Sequence, residues 1–308
     1  MISLWRVAIP LLCAAAVAAD TAPRAQDVTF TPAGADIISG AFVPDAIPAA
    51  LSLPSRGNAP FPAVVIVHGS GGLVPGGPER SFVVALNGSG IATLVLDMWA
   101  PRGMPRGADA FGGTGGLDRR PSTPQDTLPD AFGALKYLAR HPLIDRSRIG
   151  IMGFSWGAMV SLLAADDAAA GKALHGDDLR FAAHSGNYLV CWPYRPGGPM
   201  AAAVQTPRTG RPMQIHVAGR DDYDDADGGA ACRAVVDSLP LDKAARPELF
   251  VHEAATHMWD FNVPVSISFT DRRSHVGAGG TVHVTPDPEL AAEVRENTVA
   301  FFKRAFGL

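Results

Sequence analysis

RIGIMGFSWGAMVSLLAA, from Arg148 to Ala165, is the stretch that decides the fold. Its opening, RIGIMGF, is a short apolar run of the kind that forms a strand buried on both faces. Its close, GAMVSLLAA, has the composition of a buried helix. Between them lies Gly153-Phe154-Ser155-Trp156-Gly157, a G-x-S-x-G. A serine on a sharp turn between strand and helix has its hydroxyl exposed at the sheet edge, and side chains in place of the glycines would collide with the neighbouring strand and helix. The competing reading is a tight turn in which Ser155 merely caps the helix. A base and an acid elsewhere in the chain would decide between the two.

Working outward, further apolar runs read as strands: PAVVIVHG (Pro62–Gly69), IATLVLDMW (Ile91–Trp99), MQIHVAG (Met213–Gly219) and PELFVHEAA (Pro247–Ala255). Helical patterns alternate with them. SFVVALNGSG precedes the second of these runs, and Thr127–Pro142 carries Leu128, Ala131, Leu135 and Leu138 at helical spacing. GGAACRAVVDSL and the closing PELAAEVRENTVAFFKRAFG complete the set. Strands alternating with helices predict an α/β fold with a mostly parallel central sheet and helices on both faces. A polar, proline-dotted stretch around Gly34–Pro44 shows short strand-like runs before this rhythm begins. Two glycine- and proline-rich segments, 100–126 and 262–288, are read as long loops that wall or cover a site. No repeat or linker divides the chain, so residues 28–308 are expected to form one domain.

The 308 residues carry a formal charge of only −4 and no basic run, which argues against a nucleic-acid partner. The first nineteen residues differ from the rest: Arg6, then VAIPLLCAAAVAA ending in small residues, the pattern of a cleaved secretory signal. The run is short for a bilayer span, so the expectation is an exported protein, periplasmic or extracellular, with no membrane attachment after residues 1–19 are removed. Removal takes Cys13 with it and leaves Cys191 and Cys232. In an oxidising compartment the two are expected to pair, the alternative being two buried free thiols.

A serine hydroxyl is a weak nucleophile and needs a histidine oriented by a carboxylate. With the nucleophile on this kind of turn, the chain order is serine, acid, histidine. VAGRDDYDDADGG (Val217–Gly229) follows a strand and supplies acids, and HEAATHMWDF (His252–Phe261) follows the next and supplies His257. Asp222, three residues past Gly219, is the chosen acid, and Asp221 is the second choice; a solvated acidic loop orienting nothing is the bland alternative. Tyr223 stands where a calcium loop needs its first aspartate, and no glutamate closes the loop. HEAATH is one residue too long for the helical zinc pair H-E-x-x-H. HGSGG (His68–Gly72) follows the first parallel run; its glycines allow a tight turn, and the backbone N–H of Ser70, with that of Trp156, would bind an oxyanion. It lacks the G-K-[ST] of a phosphate loop. His184, His216 and His283 sit in no motif and are read as structural.

With VVIVHGSGG, DAFGALKYLARHPLIDRSRIGIMGFSWGAM, VAGRDDYDDADGGAACRAVV and HEAATHMWDF in view, the chain resembles the dienelactone hydrolase family. The resemblance implies the α/β-hydrolase fold and covers nearly all of the chain past the signal. It supports Asp222 as acid and His257 as base, and it implies that Cys232 pairs with Cys191 in YLVCWPYR. Asp260 is then structural. Ser155 stands where the family's prototypes use a cysteine.

The expected reaction is hydrolysis of a small-molecule carboxylic ester or lactone by Ser155, His257 and Asp222, with no metal or organic cofactor. Trp99, Trp156 and Trp259 are candidate pocket walls, and Arg102, Arg106, Arg119 and Arg120 lie in the 100–126 loop expected to line the pocket. An acyltransferase or a serine peptidase could use the same groups, and a non-catalytic secreted binding protein would need neither Ser155 nor His257. Oligomeric state and the particular ester are not legible.

Overall fold

The computed structural model describes residues 25–38, 40–107 and 119–308. The expected signal at residues 1–19 lies outside the described residues, as does the middle of the 100–126 loop.

Eight strands form one sheet in the order β1-β2-β4-β3-β5-β6-β7-β8. They are β1 (Ala25–Phe30), β2 (Ile47–Ser52), β3 (Phe61–Val67), β4 (Ala92–Leu96), β5 (Ile144–Phe154), β6 (His184–Asn187), β7 (Met213–Ala218) and β8 (Glu248–His252). From β4 across to β8 every neighbour is parallel; β2 is antiparallel to both β1 and β4. The fold is thus the α/β arrangement expected, with an antiparallel edge. The core of the sheet explains the pattern. In β3 every residue after Phe61 is buried, and Ala63, Val65 and Val67 pack on one face while Val64 and Ile66 pack on the other. Alternate side chains point to opposite faces, so a strand covered twice must be apolar throughout.

The helices supply the two covers. On one face lie α2 (Leu128–Arg140), α3 (Trp156–Leu163) and α5 (Ala230–Ser238), with Phe132, Val160 and Val235 in the core. On the other lie α1 (Glu79–Gly88) and α6 (Pro288–Phe306), which bury Phe82, Phe301 and Phe302. Each such side chain contributes about 1.5–3 kcal/mol by leaving water. Asp287 caps α6 by accepting from the Leu290 N–H at 2.9 Å, and Gly307, at φ 69°, closes it.

Four features depart from the sequence reading. β6 reads HSGN and has no apolar signature, because its backbone is sandwiched between β5 and β7 while its side chains bond locally. Gly34–Pro44 holds a 3-10 turn at Ala35–Ile37 where strand-like runs were expected; β1 and β2 lie on either side of it. A short helix, α4 (Asp167–Ala173), follows α3 unannounced. The segment 262–288 is not an open loop: β9 (Ile267–Asp271) and β10 (Gly280–Val284) pair antiparallel as a separate hairpin. Among the described residues no helix is long and apolar enough to cross a membrane.

Candidate active site

Parallel strands end on one edge of the sheet, and ligand sites gather there. Ser155 directly follows β5, Asp221 comes three residues after β7, and His257 five residues after β8. The turn at Ser155 is forced: its φ of 50° and ψ of −107° lie where L-residues are strained. Both glycines are sterically required. A Cβ on Gly153 would lie 2.3 Å from the Gly157 backbone, and one on Gly157 would lie 2.1 Å from the Val67 carbonyl. β5, α3 and the end of β3 are therefore in direct backbone contact, and nothing larger than hydrogen fits between them.

The turn aims Ser155 Oγ at His257 Nε2, 2.9 Å away, and His257 Nδ1 lies 2.7 Å from Asp221 Oδ2. A carboxylate only accepts hydrogen bonds, so Nδ1 carries the proton and donates to Asp221; Nε2 is left to accept from the serine hydroxyl. Ser155 is 9% exposed, His257 1% and Asp221 2%, so the relay is nearly dry. The His257 ring is held on both flanks, by Tyr188 edge-on at 4.9 Å and by Tyr223 at 4.6 Å.

Asp222, the expected acid, is not in this relay. Its Oδ2 accepts instead from the His283 backbone N–H at 2.7 Å and lies 3.1 Å from His283 Nδ1, on the hairpin. The reason is local. Asp221 caps the 3-10 turn Asp222–Asp224 by accepting from the Tyr223 N–H at 3.0 Å, which directs 221 and the ring of 223 inward. Residue 222 is then turned toward the hairpin. His283, read as structural, is thus part of the clasp that seats the hairpin, together with the His275 N–H donating to the Asp222 carbonyl at 2.8 Å.

Ser70 and Trp156, the expected oxyanion donors, border the same cavity as Ser155. Trp156 is the first residue of α3, at the helix's positive N-terminal end. The Ser70 loop is pinned from behind. Trp99 Nε1 donates to the Ser70 carbonyl at 2.8 Å, and His68 Nδ1 donates to the Gly69 carbonyl at 2.7 Å while its Nε2 accepts from Met98 N–H at 3.1 Å. Full burial pushes the His68 pKa down to about 4, so it stays neutral and keeps both bonds. His68 as the loop's anchor was missed, although an apolar strand ending in histidine before glycines was the available signal.

The cavity beside Ser155 measures about 220 Å3. Met159, Trp192, Tyr194 and Met200 form its apolar side, and the hairpin contributes Asp271 and Arg273. Of the tryptophans expected as walls, Trp156 lines it. Trp99 is fully buried against Trp156 and His68, and Trp259 packs on Tyr188 and borders a separate surface groove. The expected loop contributes only Ser122, Thr123 and Pro124 among the described residues. Its arginines serve elsewhere: Arg102 pairs with Asp130 in full burial, Arg106 pairs with Asp97, and Arg119 stacks over Phe42. Arg120 is not among the cavity's lining residues.

Behind His257 lies a second acidic group. Asp260 accepts from Tyr188 Oη at 2.9 Å, yet burial raises it to about 6. Burial likewise raises Glu79 to about 7, with the Asp260 charge adding to the effect. Asp224 is pushed up to about 8 by burial and then by the Asp221 charge; N–H groups of Cys191 and Trp192 hold its carboxylate. Cys191 and Cys232 are joined by a disulfide, which ties the Trp192 wall to α5. Asp224 lies close to both sulfurs, but thiols committed to a disulfide offer no thiolate to a metal. His252 stacks on His216, with Nε2 and Nδ1 3.1 Å apart, and packs against Trp259.

Residues 47–306 match the family described as the dienelactone hydrolase family. A curated mouse (Mus musculus) relative, a peroxisomal succinyl-coenzyme A thioesterase, is 28% identical over 236 residues, 74% of this chain and 48% of its own length. The chain thus spans about half of that relative. Among solved structures, a dienelactone hydrolase-like protein from Klebsiella pneumoniae superposes with a TM-score of 0.56 at 16% identity, covering 91% of this chain and 99% of that one. Thermogutta terrifontis esterase 2, in a form phosphoramylated by tabun, gives 0.55 at 18% identity, covering 85% and 90%. At such identities these structures speak for the fold alone.

Proposed function

The chain belongs to the dienelactone hydrolase family and is on that ground a hydrolase; from that premise we propose that it cleaves a carboxylic ester through an acyl-enzyme on Ser155. Ser155 Oγ attacks the ester carbonyl carbon while His257 Nε2 takes its proton. Asp221 holds the imidazole in the required tautomer and stabilises the imidazolium that forms. The backbone N–H groups of Ser70 and Trp156 receive the developing oxyanion, the kind of contact whose loss typically costs 10²–10³ in rate. The intermediate collapses, the C–O bond to the alcohol breaks, and His257 returns the proton to the leaving oxygen. Water then repeats the sequence on the acyl-enzyme and releases the acid.

The observation that carries this reading is the buried chain of contacts from Ser155 Oγ to His257 to Asp221, at 2.9 and 2.7 Å. A protein that only bound ligands would gain nothing from it. The mouse relative extends the reading to thioesters, which the same nucleophile attacks. Export fits as well: a disulfide between Cys191 and Cys232 suits an oxidising compartment. The test is labelling with a fluorophosphonate probe, wild type beside Ser155→Ala, alongside a panel of short-acyl nitrophenyl esters. Wild-type labelling that disappears in the variant, with turnover of at least one ester, supports the reading. A folded wild type that neither labels nor turns over any ester sinks it.

A further inference from the structure

The apolar side of the Ser155 cavity includes Met159, Trp192 and Met200, all half-buried, so they present accessible surface to a ligand. Trp192 is also held from behind. Its backbone N–H donates to Asp224 Oδ1 at 2.7 Å, and Cys191 beside it is cross-linked to Cys232 on α5. With Met159 it packs on a buried cluster of Val190, Tyr223, Val282 and Val284, the last two from β10 of the hairpin. Gly277, at φ 85° in the turn of that hairpin, meets the outer edge of the indole: a Cβ there would lie 2.9 Å from Trp192 Cη2. Gly277 does not border the cavity, so the hairpin backs the ring on the side away from Ser155. A chain too long for the cavity would have to push a packed ring into that backing, and close-packed interiors resist such overpacking.

Resting on the proposed acyl-enzyme reading, we infer that Trp192, backed by the hairpin, is a specificity-determining residue that limits the length of the substrate's acyl chain. The alcohol departs first and needs an open route, whereas the acyl group stays bonded to Ser155 until water arrives, so the walled cavity suits the acyl side. At about 220 Å3 the space lies below the usual range of about 300–1,000 Å3 for drug-sized ligands. A water-sized group takes a share of about 30 Å3, so the space holds about seven such groups, or an aliphatic acyl chain of about six carbons with its carbonyl oxygen. Asp271, on the hairpin side of the cavity, already accepts from Tyr223 Oη at 2.7 Å and from the Arg273 backbone N–H at 2.8 Å. Its charge is thus answered within the protein and asks for no partner on the chain. The substrate class is an ester of a short, unbranched aliphatic acid.

The experiment compares nitrophenyl butyrate with nitrophenyl octanoate in wild type, Trp192→Phe and Trp192→Ala. Wild type favours butyrate. The octanoate-to-butyrate ratio of kcat/KM rises at least about tenfold in Trp192→Ala, the lower worth of a methylene's fit in an apolar pocket, and by a smaller factor in Trp192→Phe. Fluorophosphonate labelling of each protein reports the catalytic groups, and a thermal melt reports folding. Trp192→Phe keeps a ring against the hairpin and carries the test if Trp192→Ala does not fold. As a reading independent of the variants, a crystal structure of wild type carrying a hexylphosphonate on Ser155 shows the alkyl chain against the indole. Intact labelling with an unchanged ratio in the folded variants, octanoate turnover equal to butyrate in wild type, or an alkyl chain directed away from Trp192 overturns this inference alone. So does a wild type that prefers nitrophenyl hemisuccinate to the butyrate, since the cavity would then select a charged acyl end. A wild type that neither labels nor hydrolyses any of these esters overturns the catalytic reading and this inference with it.

Discussion

The serine turn and the acid turn are built in opposite ways. At the serine turn the constraint is steric: hydrogens of Gly153 and Gly157 face backbone atoms of α3 and β3, and any side chain would push the elements apart. At the acid turn the constraint is hydrogen bonding: Asp221 takes His257 and the Tyr223 N–H, while Asp222 takes the hairpin. Steric exclusion fixes residue type, because only glycine fits. Hydrogen bonding fixes direction, and adjacent aspartates can exchange roles without a change in composition. A site can thus be unmistakable at one corner and ambiguous by one residue at the next.

The largest effects test the serine turn. Ser155→Ala is expected to lower kcat on the order of a millionfold while the protein remains folded, as happens when a unit of this kind loses its nucleophile. Circular dichroism with ester kinetics checks both halves. Gly157→Val should act through folding instead, since its side chain would occupy the position of the Val67 carbonyl. A soluble, native-like Gly157→Val protein would break the claim that sterics govern this corner.

The acid turn is tested by a pair of variants. Asp221→Asn keeps the shape but removes the charge that holds the histidine tautomer, so kcat should fall about ten-thousandfold. Asp222→Asn, by contrast, should leave kcat within a few-fold and act on KM, because Asp222 seats the hairpin that brings Asp271 and Arg273 to the cavity. Reversed magnitudes would mean that the turn rearranges in solution to put Asp222 on the imidazole.

What could be read from the sequence follows the same division. The parallel strands were visible because double burial demands apolar runs, and the serine turn because only glycine fits there. β6 was invisible, since His184, Ser185 and Asn187 bond to neighbours and show no apolar stripe. The hairpin was hidden because β9 is packed only on one side and is largely exposed. The choice of Asp222 over Asp221 was decidable in principle. Tyr223 is the one large ring in an acidic run and must turn inward, and an aspartate two residues before it, bonding its N–H, turns inward with it. Counting from Gly219 overlooked that pairing. Trp192, Tyr194 and Arg273 were missed because a wall assembled from separate loops carries no local pattern.

The disulfide sharpens the comparison on the stability side. Cys191 and Cys232 are 41 residues apart, and a cross-link closing such a loop restricts the unfolded chain by about 4 kcal/mol in the chain-entropy account. Cys232→Ala should therefore lower unfolding free energy by up to that amount in denaturant titrations. Because the bond also fixes the Trp192 wall, the variant should show a raised KM with the relay still labelled by a fluorophosphonate. A stability loss with KM unchanged would mean that the wall holds without its tether.

The smallest effect concerns the buried carboxyls behind the histidine, where burial outweighs the hydrogen bonds that favour the charged form. Burial raises Glu79 to about 7, above its ordinary value near 4.5. A carboxyl raised in the fold binds its proton more tightly there than in the unfolded chain. Its contribution to stability is complete below about pH 4.5 and is lost as pH rises through about 7. Over that span of about 2.5 pH units the loss is at most about 3 kcal/mol, at 1.36 kcal/mol for each unit. Glu79→Gln, which cannot ionise, should match wild type at pH 4 and exceed it at pH 8, flattening the decline in unfolding free energy across the interval. Asp260, also raised by burial, and Asp224, raised to about 8, decline in the same direction and remain in the variant, so a residual slope is expected. An identical slope in wild type and Glu79→Gln would mean that Glu79 ionises freely at neutral pH, with water or a cation reaching it through the groove it borders.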